Sequence, residues 1–455
     1  MMDFKLKKVA VPEVVLLAIL LTGFAISYGI VWSRSDIKLS PPNEVPASGF
    51  WFSMPQGGGW QKSSAFKFSK NGYYLTSAQD ADGQKSANHL TVAYLLAAGK
   101  VDANDWFRSK AVQMGGRVSS IRYIKGHDTD VCVARIEMRG QSLNIFYGIA
   151  TLPGERNVII EVVNVTDDAE WGWDIVTRVA ESFDYKGNPL LDRGKKIIAS
   201  IRSKGLEKLL GTSRQEDYFL LGEDGRTEGF AVNMYARTGD DAKKDVRIVN
   251  SSYLHSLGGR ENILQTDDRF DTFLWLSNTL NAAGVRKRLA EVRLDEDASM
   301  RVRLQGSFYA ETYVPGPAAI PELLAPAVFR EMLASGTQEA IVDFIDFDGR
   351  IVPAAIRLKR RTEDSNDGLA YTVTVHYFGE GDISEEIFLD VDGKIEKGYV
   401  LGQTPYTLQR SGKDVIFGEF PLWLDYLTSL EKLLMDDNAE GKKPRRIVHN
   451  VTTAL

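Results

Sequence analysis

The sequence of 455 residues contains a single cysteine, Cys132. An intramolecular disulfide is therefore excluded, and the folded state must be held together by burial of apolar side chains. Cys132 lies in an apolar segment, residues 130–134, that is typical of a β-strand and predicts a buried, unreactive thiol. The net charge of -6 at pH 7 offers no basic surface of the kind that binds nucleic acid.

Motifs of the common catalytic and metal sites are also missing. The sequence has no Gly-x-Ser-x-Gly segment, and the glycines at 57–59 are not followed by the Lys-Ser/Thr pair of a phosphate-binding loop. The histidines are scattered, without the spacing of a zinc site. They are His89, His127, His255, His376 and His449. We therefore expect a protein that is not an enzyme and needs no cofactor or metal.

Three Asp-x-Asp-Gly segments begin at Asp80, Asp346 and Asp390. A calcium loop of the EF-hand type starts in a similar way, but it also needs further oxygen ligands and a terminal glutamate at fixed spacing. Those residues are missing here. Because Asp and Gly are also the residues that tight turns favour, we predict hairpin turns at all three places.

One apolar run is long enough to cross a membrane. It covers residues 12–32 and contains a single charge, Glu13, near its start. A helix of about 20 apolar residues spans the hydrocarbon core of a bilayer, so we predict a transmembrane anchor. Residues along this anchor include Pro12, Leu16, Leu20, Phe24 and Trp32.

The charges around this run predict its orientation. Lys5, Lys7 and Lys8 precede it, whereas the segment after it is nearly balanced in charge. The N-terminus is therefore expected in the cytoplasm and the bulk of the chain outside it, in a bacterial periplasm or on the cell surface. The alternative is a signal peptide cut near residues 25–27. Signal peptides have an apolar region of about 7–15 residues, and because this run continues to Trp32, we favour an uncleaved anchor.

The rest of the chain has an ordinary globular composition, with 44% hydrophobic and 25% charged residues. A chain of this length is expected to form two domains. The predicted order is the N-terminus with its anchor, a proline-rich linker, an α+β domain, a junction, a β-rich domain with a C-terminal helix, and a polar tail. The corresponding residues are 1–33, 34–49, 50–186, 187–208, 209–435 and 436–455.

The first domain alternates between strand and helix patterns. Six segments rich in β-branched and aromatic residues predict strands. They are residues 73–77, 90–96, 117–124, 131–138, 143–152 and 157–165. Asp102 and the pair Asp167-Asp168 each precede a helix pattern and are suited to its N-cap. This order predicts an α+β fold, an antiparallel sheet with helices packed on it.

Several core and turn residues of this domain resemble those of PsbP/Mog1-like domains. They are Phe52, Pro55, Gly59 and Trp60 at the start, Asp105, Trp106 and Phe107 at the first helix, Tyr147 and Gly148 in a strand, a Pro-Gly-Glu-Arg turn at 153–156, and Glu181, Ser182 and Phe183 at the end. The resemblance implies an αβα sandwich of the kind used in assembly factors and accessory subunits, usually without catalysis. It transfers no functional residue.

The second domain is predicted to be mostly β, with strands that alternate between a wet and a buried face. The predicted strands are residues 217–221, 229–237, 246–254, 269–280, 285–294, 299–305, 308–314, 340–346, 350–360, 369–378, 385–391, 395–401 and 404–410. One helix, residues 320–334, interrupts them and ends before Gly336. A long meander with one helix, over residues 209–410, is similar to the LolA/LppX-type lipoprotein-carrier architecture, in which a half-barrel shelters an acyl chain.

Apolar residues on two helices form the candidate ligand or partner face. Leu323, Leu324, Phe329 and Met332 belong to the helix at 320–334. Leu424 and Leu427 belong to a second helix, residues 422–435, whose broad apolar face is predicted to dock on the preceding sheet. The alternative for this second helix is binding to a partner or a membrane surface.

Three functional hypotheses follow. The first, which the sequence favours, is a noncatalytic accessory or scaffold protein that acts through protein partners in a membrane-associated assembly. The second is a carrier of lipid or another hydrophobic ligand, which requires a cavity of a few hundred Å³ on the concave face of the second domain. The third is a hydrolase with a deep pocket in which a histidine lies next to a serine or a carboxylate.

Overall fold

The computed structural model describes most of the chain between Lys38 and Met435. The described residues are 38–44, 49–56, 60–62, 67–69, 72–79, 89–96, 102–125, 130–138, 144–151, 158–166, 168–210, 214–223, 225–238, 245–281, 284–296, 300–304, 307–313, 319–361, 368–377, 384–401 and 405–435. The predicted anchor, the turn at Asp80 and the polar tail lie outside them. Within these segments, no helix combines the length and the apolar character needed to cross a bilayer.

The first part of the chain contains strands β1 to β13 and helices α1 and α2. They are β1 (Lys38–Leu39), β2 (Asn43–Glu44), β3 (Phe50–Phe52), β4 (Pro55–Gln56), β5 (Trp60–Lys62), β6 (Lys67–Ser69), β7 (Gly72–Gln79), β8 (His89–Leu96), α1 (Ala103–Gln113), β9 (Gly116–Lys125), β10 (Asp130–Met138), β11 (Asn144–Thr151), β12 (Val158–Thr166), α2 (Ala169–Glu181) and β13 (Asp184–Tyr185). The main sheet has the order β5-β7-β8-β12-β11-β10-β9 and is antiparallel, with β6 paired to β7.

Helices α1 and α2 pack on opposite faces of this sheet. Successive residues of a strand point to opposite sides. Accordingly, Cys132 of β10 packs with Phe107 of α1, whereas Val133 belongs to the cluster that holds Val176 of α2. The side chain of Asp168 caps α2 by accepting two backbone hydrogen bonds of 3.1 Å. The expected helices on an antiparallel sheet and the expected burial of Cys132 are confirmed.

The second part of the chain contains strands β14 to β28 and five further helices, together with the 3-10 turns Glu322–Leu324 and Pro421–Trp423. They are α3 (Pro189–Lys204), α4 (Leu206–Leu210), β14 (Arg214–Glu223), β15 (Arg226–Thr238), β16 (Asp245–Leu254), β17 (Gly258–Asp267), β18 (Phe273–Leu280), β19 (Arg286–Leu294), β20 (Met300–Leu304), β21 (Ser307–Tyr313), β22 (Ala319–Pro321), α5 (Ala325–Ser335), β23 (Glu339–Ile345), β24 (Ile351–Arg360), β25 (Tyr371–Tyr377), β26 (Ser384–Leu389), β27 (Ile395–Leu401), β28 (Tyr406–Ser411), α6 (Lys413–Glu419) and α7 (Leu424–Met435).

These strands form one 15-stranded sheet among the described residues, in the order β21-β20-β19-β18-β17-β16-β15-β14-β28-β27-β26-β25-β24-β23-β22. Neighbouring strands are antiparallel except β22 and β23, which are parallel. Helices α3 and α5 contact β22 to β24 and each other. We call the side of the sheet that holds them the inner face and the opposite side the outer face.

Helix α3 is part of the inner core. Its residues Ile197, Ile198 and Ile201 are buried with the inner side chains of the sheet. Gly194 lies so close to β23 that a Cβ atom there would be 1.7 Å from the carbonyl oxygen of Ile341, so only glycine allows this approach. Helix α3 is joined to α5 by Glu331, whose carboxylate accepts a hydrogen bond of 2.7 Å from the Ser200 hydroxyl.

Helix α7 covers the outer face of β15 and β16. Leu427 and Leu430 are fully buried against Phe230 and Val232 of β15. A second contact is polar, because the hydroxyl of Tyr426 donates a hydrogen bond of 2.9 Å to the carboxylate of Glu261 on β17. The expected docking of the C-terminal helix on the sheet is therefore confirmed.

Three segments differ from the sequence-based expectation. Residues 187–208 are interpreted from sequence as a junction, with a short helix as one interpretation of its basic stretch, whereas the structure has a helix of 16 residues, α3, that belongs to the core. Residues 38–44 are extended, as the prolines predict, yet they pair with β4 and β3 and do not form a free linker. The sequence predicts one strand over residues 269–280 and none over β17, whereas β17 is a central strand and β18 begins only at Phe273.

Candidate ligand cavity

A cavity of about 390 Å³ separates helix α5 from the inner face of the sheet. Strands β14 to β18 form one wall, and β25 to β28 form the other. The 3-10 turn before α5 and the first two turns of α5 itself complete the lining, with Leu210 of α4 at one end. The cavity therefore lies where the sheet curves around its own helix.

Part of the lining is apolar. Ile248, Trp275, Leu324 and Phe329 line the cavity and belong to the main hydrophobic core, in which each of them is at most 8% exposed. Ile387 of β26 adds an aliphatic side chain from the opposite wall. These residues provide an apolar surface with which a hydrocarbon group makes favourable contact.

A row of amides runs across the wall formed by β15 to β18. Asn250 donates a hydrogen bond of 2.5 Å to the side-chain oxygen of Asn233 and accepts one of 3.5 Å from Asn262. The indole nitrogen of Trp275 in turn donates to Asn262 at 3.3 Å. These hydrogen bonds link the four side chains into one row along the wall of the cavity.

An acidic group occupies the wall formed by the turn before α5 and strands β25, β26 and β28. The Tyr377 hydroxyl donates a hydrogen bond of 3.4 Å to Glu322 and also interacts with Glu385. Burial, followed by repulsion from Glu322, raises the pKa of Glu385 to about 7, although the hydrogen bond from Tyr377 lowers it. Burial and these two carboxylates also raise the pKa of Tyr406. This end of the cavity is therefore rich in oxygen atoms.

Three cationic side chains also line the cavity. The guanidinium of Arg260 lies 4.0 Å from the ring centre of Phe347, and both residues line the opening. Arg330 of α5 donates a hydrogen bond of 3.0 Å to the carbonyl oxygen of Leu209. Lys394 also contributes to the lining, and its side chain is exposed.

The structure separates the predicted ligand or partner face into two places. Leu323, Leu324 and Phe329 line the cavity, and Met332 is fully buried in the core behind it. Leu427 is buried on the outer face, and Leu424 is 43% exposed. Leu424 and Leu427 therefore do not share a site with the other four residues, because α7 and α5 lie on opposite faces of the sheet.

The polar residues of the cavity were not predicted from the sequence. Glu322 lies inside the helix predicted over residues 320–334, where nothing sets it apart, and Glu385 looks like one of many surface carboxylates. The alternation of side chains along β25 and β26 was the available signal. Val375 pairs directly with Glu385, and Tyr377 lies two residues after Val375, so Tyr377 and Glu385 both occupy inward positions. A glutamate at an inward position of a buried strand is unusual and indicates a polar site.

Other sequence-based candidates have structural explanations. Asp346 and Asp390 lie in the turns that join β23 to β24 and β26 to β27, and each accepts hydrogen bonds from the backbone of its own turn. The predicted hairpin turns are therefore confirmed at these two positions. Among the described residues, no cluster of histidine, cysteine and acidic side chains suits a metal ion. No histidine lines the cavity, so the pairing required by the hydrolase hypothesis does not occur there.

Comparison with known proteins finds no matching family profile and no matching curated protein. Similar solved structures include a β-barrel-like protein of the domain of unknown function DUF1849 from Brucella abortus, with 15% identity over 44% of this chain and 94% of that chain and a TM-score of 0.29. A DUF1329 family protein from Desulfovibrio piger has 10% identity over 50% and 92% of the two chains and a TM-score of 0.13. An outer membrane lipoprotein-sorting protein domain from Vibrio parahaemolyticus has 12% identity over 49% and 91% and a TM-score of 0.11.

At these identities and TM-scores, the likenesses assign neither a family nor a function to the chain. The resemblance of residues 209–410 to the LolA/LppX-type architecture therefore has no further support from these comparisons than the presence of a lipoprotein-sorting domain among them. The resemblance of residues 50–186 to PsbP/Mog1-like domains stays a prediction.

Proposed function

We propose that this protein binds a lipid or another amphiphilic ligand in the cavity between helix α5 and the inner face of the sheet. The observation that carries the proposal is the cavity itself, with its volume of about 390 Å³ and its partly apolar lining. Pockets for small molecules usually measure about 300–1,000 Å³ and combine apolar walls with a few polar groups. This is the second of the three hypotheses drawn from the sequence, the carrier of a lipid or another hydrophobic ligand.

The size of the cavity supports binding over simple core packing. Protein interiors are packed as closely as organic crystals, and gaps much larger than a water molecule are few. This cavity opens to the surface, and its walls contain the large side chains of Trp275 and Ile387. A ligand that occupies the cavity removes their apolar surface from water, which is favourable.

The cellular setting is part of the same proposal. A carrier anchored by residues 12–32, with its bulk outside the cytoplasm, would hold its ligand close to a membrane surface. We further propose that the protein is noncatalytic, since no catalytic motif is present in the sequence. The accessory or scaffold role ranks second, because the cavity supports the carrier role directly.

Cavity filling tests the proposal. The probe is hexadecanol brominated at mid-chain, because bromine quenches tryptophan fluorescence on contact and Trp275 lines the cavity. We expect the probe to quench the fluorescence of the full chain and Ser252→Phe to reduce that quenching severalfold, since Ser252 lines the cavity. The matched control is Ser256→Phe, at an exposed turn position, and it should leave the quenching unchanged.

Two results would overturn the proposal. One is the absence of saturable quenching in the unmodified chain. The other is equal quenching in Ser252→Phe and Ser256→Phe, which would place the probe outside the cavity. Thermal unfolding of both variants shows that each is folded.

A further inference from the structure

The acidic group of the cavity has one hydroxyl donor for two carboxyl groups. Tyr377 has a single hydroxyl proton, yet it interacts with the carboxyl groups of both Glu322 and Glu385. One proton cannot be donated to two carboxylates at once. When both are ionised, one of them faces the oxygen of Tyr377 without a hydrogen between them, which is unfavourable in a buried site.

The two carboxyl groups differ in their charged neighbours. Arg260 is close enough to Glu322 for the two charges to stabilise each other. Among the described residues, Glu385 forms no ion pair with a lysine or arginine, and the hydrogen bond from Tyr377 favours its ionised form. Burial and the charge of Glu322 outweigh that hydrogen bond, so the pKa of Glu385 is raised to about 7. A cation beside Glu385 would stabilise its ionised form.

We propose that Glu322, Tyr377 and Glu385 bind the protonated amine of an amphiphilic ligand whose apolar chain fills the rest of the cavity. The inference rests on the proposed function, and it adds the chemistry of the ligand's polar end. An ammonium group has three N–H donors, and Glu322, Tyr377 and Glu385 present oxygen acceptors for them. Its positive charge balances the Glu385 carboxylate, and the core residues around Trp275 and Phe329 contact the chain.

The test compares three ligands with the same chain and different heads: hexadecylamine, hexadecanol and palmitate. Their affinities for the full chain are measured at about pH 8, where Glu385 is ionised, by competition with the brominated probe. We expect the amine to bind about tenfold more tightly than the alcohol and to outcompete palmitate. Glu385→Gln and Tyr377→Phe should each reduce the preference for the amine to about twofold or less, while the alcohol still binds.

Glu386→Gln is the matched control, since Glu386 is the neighbour of Glu385 on β26 and does not line the cavity. It should keep the full preference for the amine. The proposed amine site is wrong if palmitate binds as tightly as hexadecylamine, or if Glu385→Gln keeps the preference for the amine over the alcohol. Cations such as Arg330 would then select the polar head of the ligand. If none of the three ligands binds, the proposed function itself fails, so the two failures are distinguishable.

Discussion

The Tyr426 hydroxyl on α7 and the Glu261 carboxylate on β17 form a hydrogen bond of 2.9 Å inside the protein. Glu261 has no exposed surface, and the Nε atom of Arg286 donates to both of its carboxylate oxygens at 2.7 and 2.9 Å. Asn278 donates a further hydrogen bond of 2.9 Å. The carboxylate is thus fully satisfied, and it fixes the C-terminal helix to the outer face of the sheet.

Removal of one donor from this network should destabilise the protein. Tyr426→Phe deletes the hydroxyl and leaves Glu261 with one partner fewer, so we expect the free energy of unfolding to fall by about 1–3 kcal/mol. Urea denaturation at pH 7 measures the change. Tyr399→Phe is the control, because no described residue forms a hydrogen bond with the Tyr399 hydroxyl, and the loss of this hydroxyl should cost less than about 0.5 kcal/mol. Equal losses in the two variants would show that the Tyr426–Glu261 contact contributes nothing.

The stability of the protein should depend on pH through Glu385. Its pKa is 4.5 in an unfolded chain and about 7 in the folded protein, so the folded state binds more protons between these values. Stability is therefore lost as the pH rises from 4.5 to 7. Glu385→Gln removes the ionisable group and should raise the free energy of unfolding by up to about 3 kcal/mol at pH 8, with little change at pH 4.5.

Urea denaturation of Glu385→Gln and the unmodified chain at both pH values measures this difference. Glu386→Gln should follow the unmodified chain throughout. A stabilisation of Glu385→Gln that is the same at the two pH values would contradict a raised pKa and indicate a packing effect.

The close approach of α3 and β23 predicts a strong effect of one methyl group. At Gly194 a Cβ atom would lie 1.7 Å from the Ile341 carbonyl oxygen, so Gly194→Ala must push the helix and the strand apart. We expect a loss of about 1–3 kcal/mol in the free energy of unfolding. Gly418 of α6 has open space around it, and Gly418→Ala should instead stabilise the protein by about 0.5–1 kcal/mol. Thermal denaturation should show a lower melting temperature for Gly194→Ala and a higher one for Gly418→Ala than for the unmodified chain.

The two leucines at the start of α7 should differ sharply. Leu427 is fully buried, whereas Leu424 is 43% exposed. Leu427→Ala should lower the free energy of unfolding by about 2–5 kcal/mol, and Leu424→Ala should change it by less than about 0.5 kcal/mol. Denaturation with urea measures both. A large loss for Leu424→Ala would mean that this side chain is covered by another protein or by a second copy in solution.

Much of the sheet could be predicted because its strands alternate between polar and apolar residues and are separated by Asp-Gly turns. Strand β27 has the predicted bounds, and β24 differs from its prediction by one residue. Strand β17 could not be predicted in the same way. Arg260 and Asn262 face the cavity, while Glu261 faces the network on the outer face, so neither side of this part of the strand looks apolar.

The full length of helix α3 and the acidic group of the cavity could not be predicted from the sequence, for different reasons. The basic residues around Lys195 indicate only a short helix in a junction, although Leu191, Ile198 and Ile201 lie on the buried face of a helix of 16 residues. The acidic group of the cavity combines Glu322 with Tyr377 and Glu385, which come together only through the register of β25 with β26 and the position of the turn before α5. A sequence pattern within one segment does not contain that information, because the group depends on contacts between distant segments.

Among the described residues, the strand order of the large sheet begins at β21 and ends at β22, and these two strands do not pair with each other. In a closed barrel, the pairing of the first and last strands helps to fix the radius. The described strands around helix α5 have no such pairing, so their curvature can change while every described strand pair stays intact.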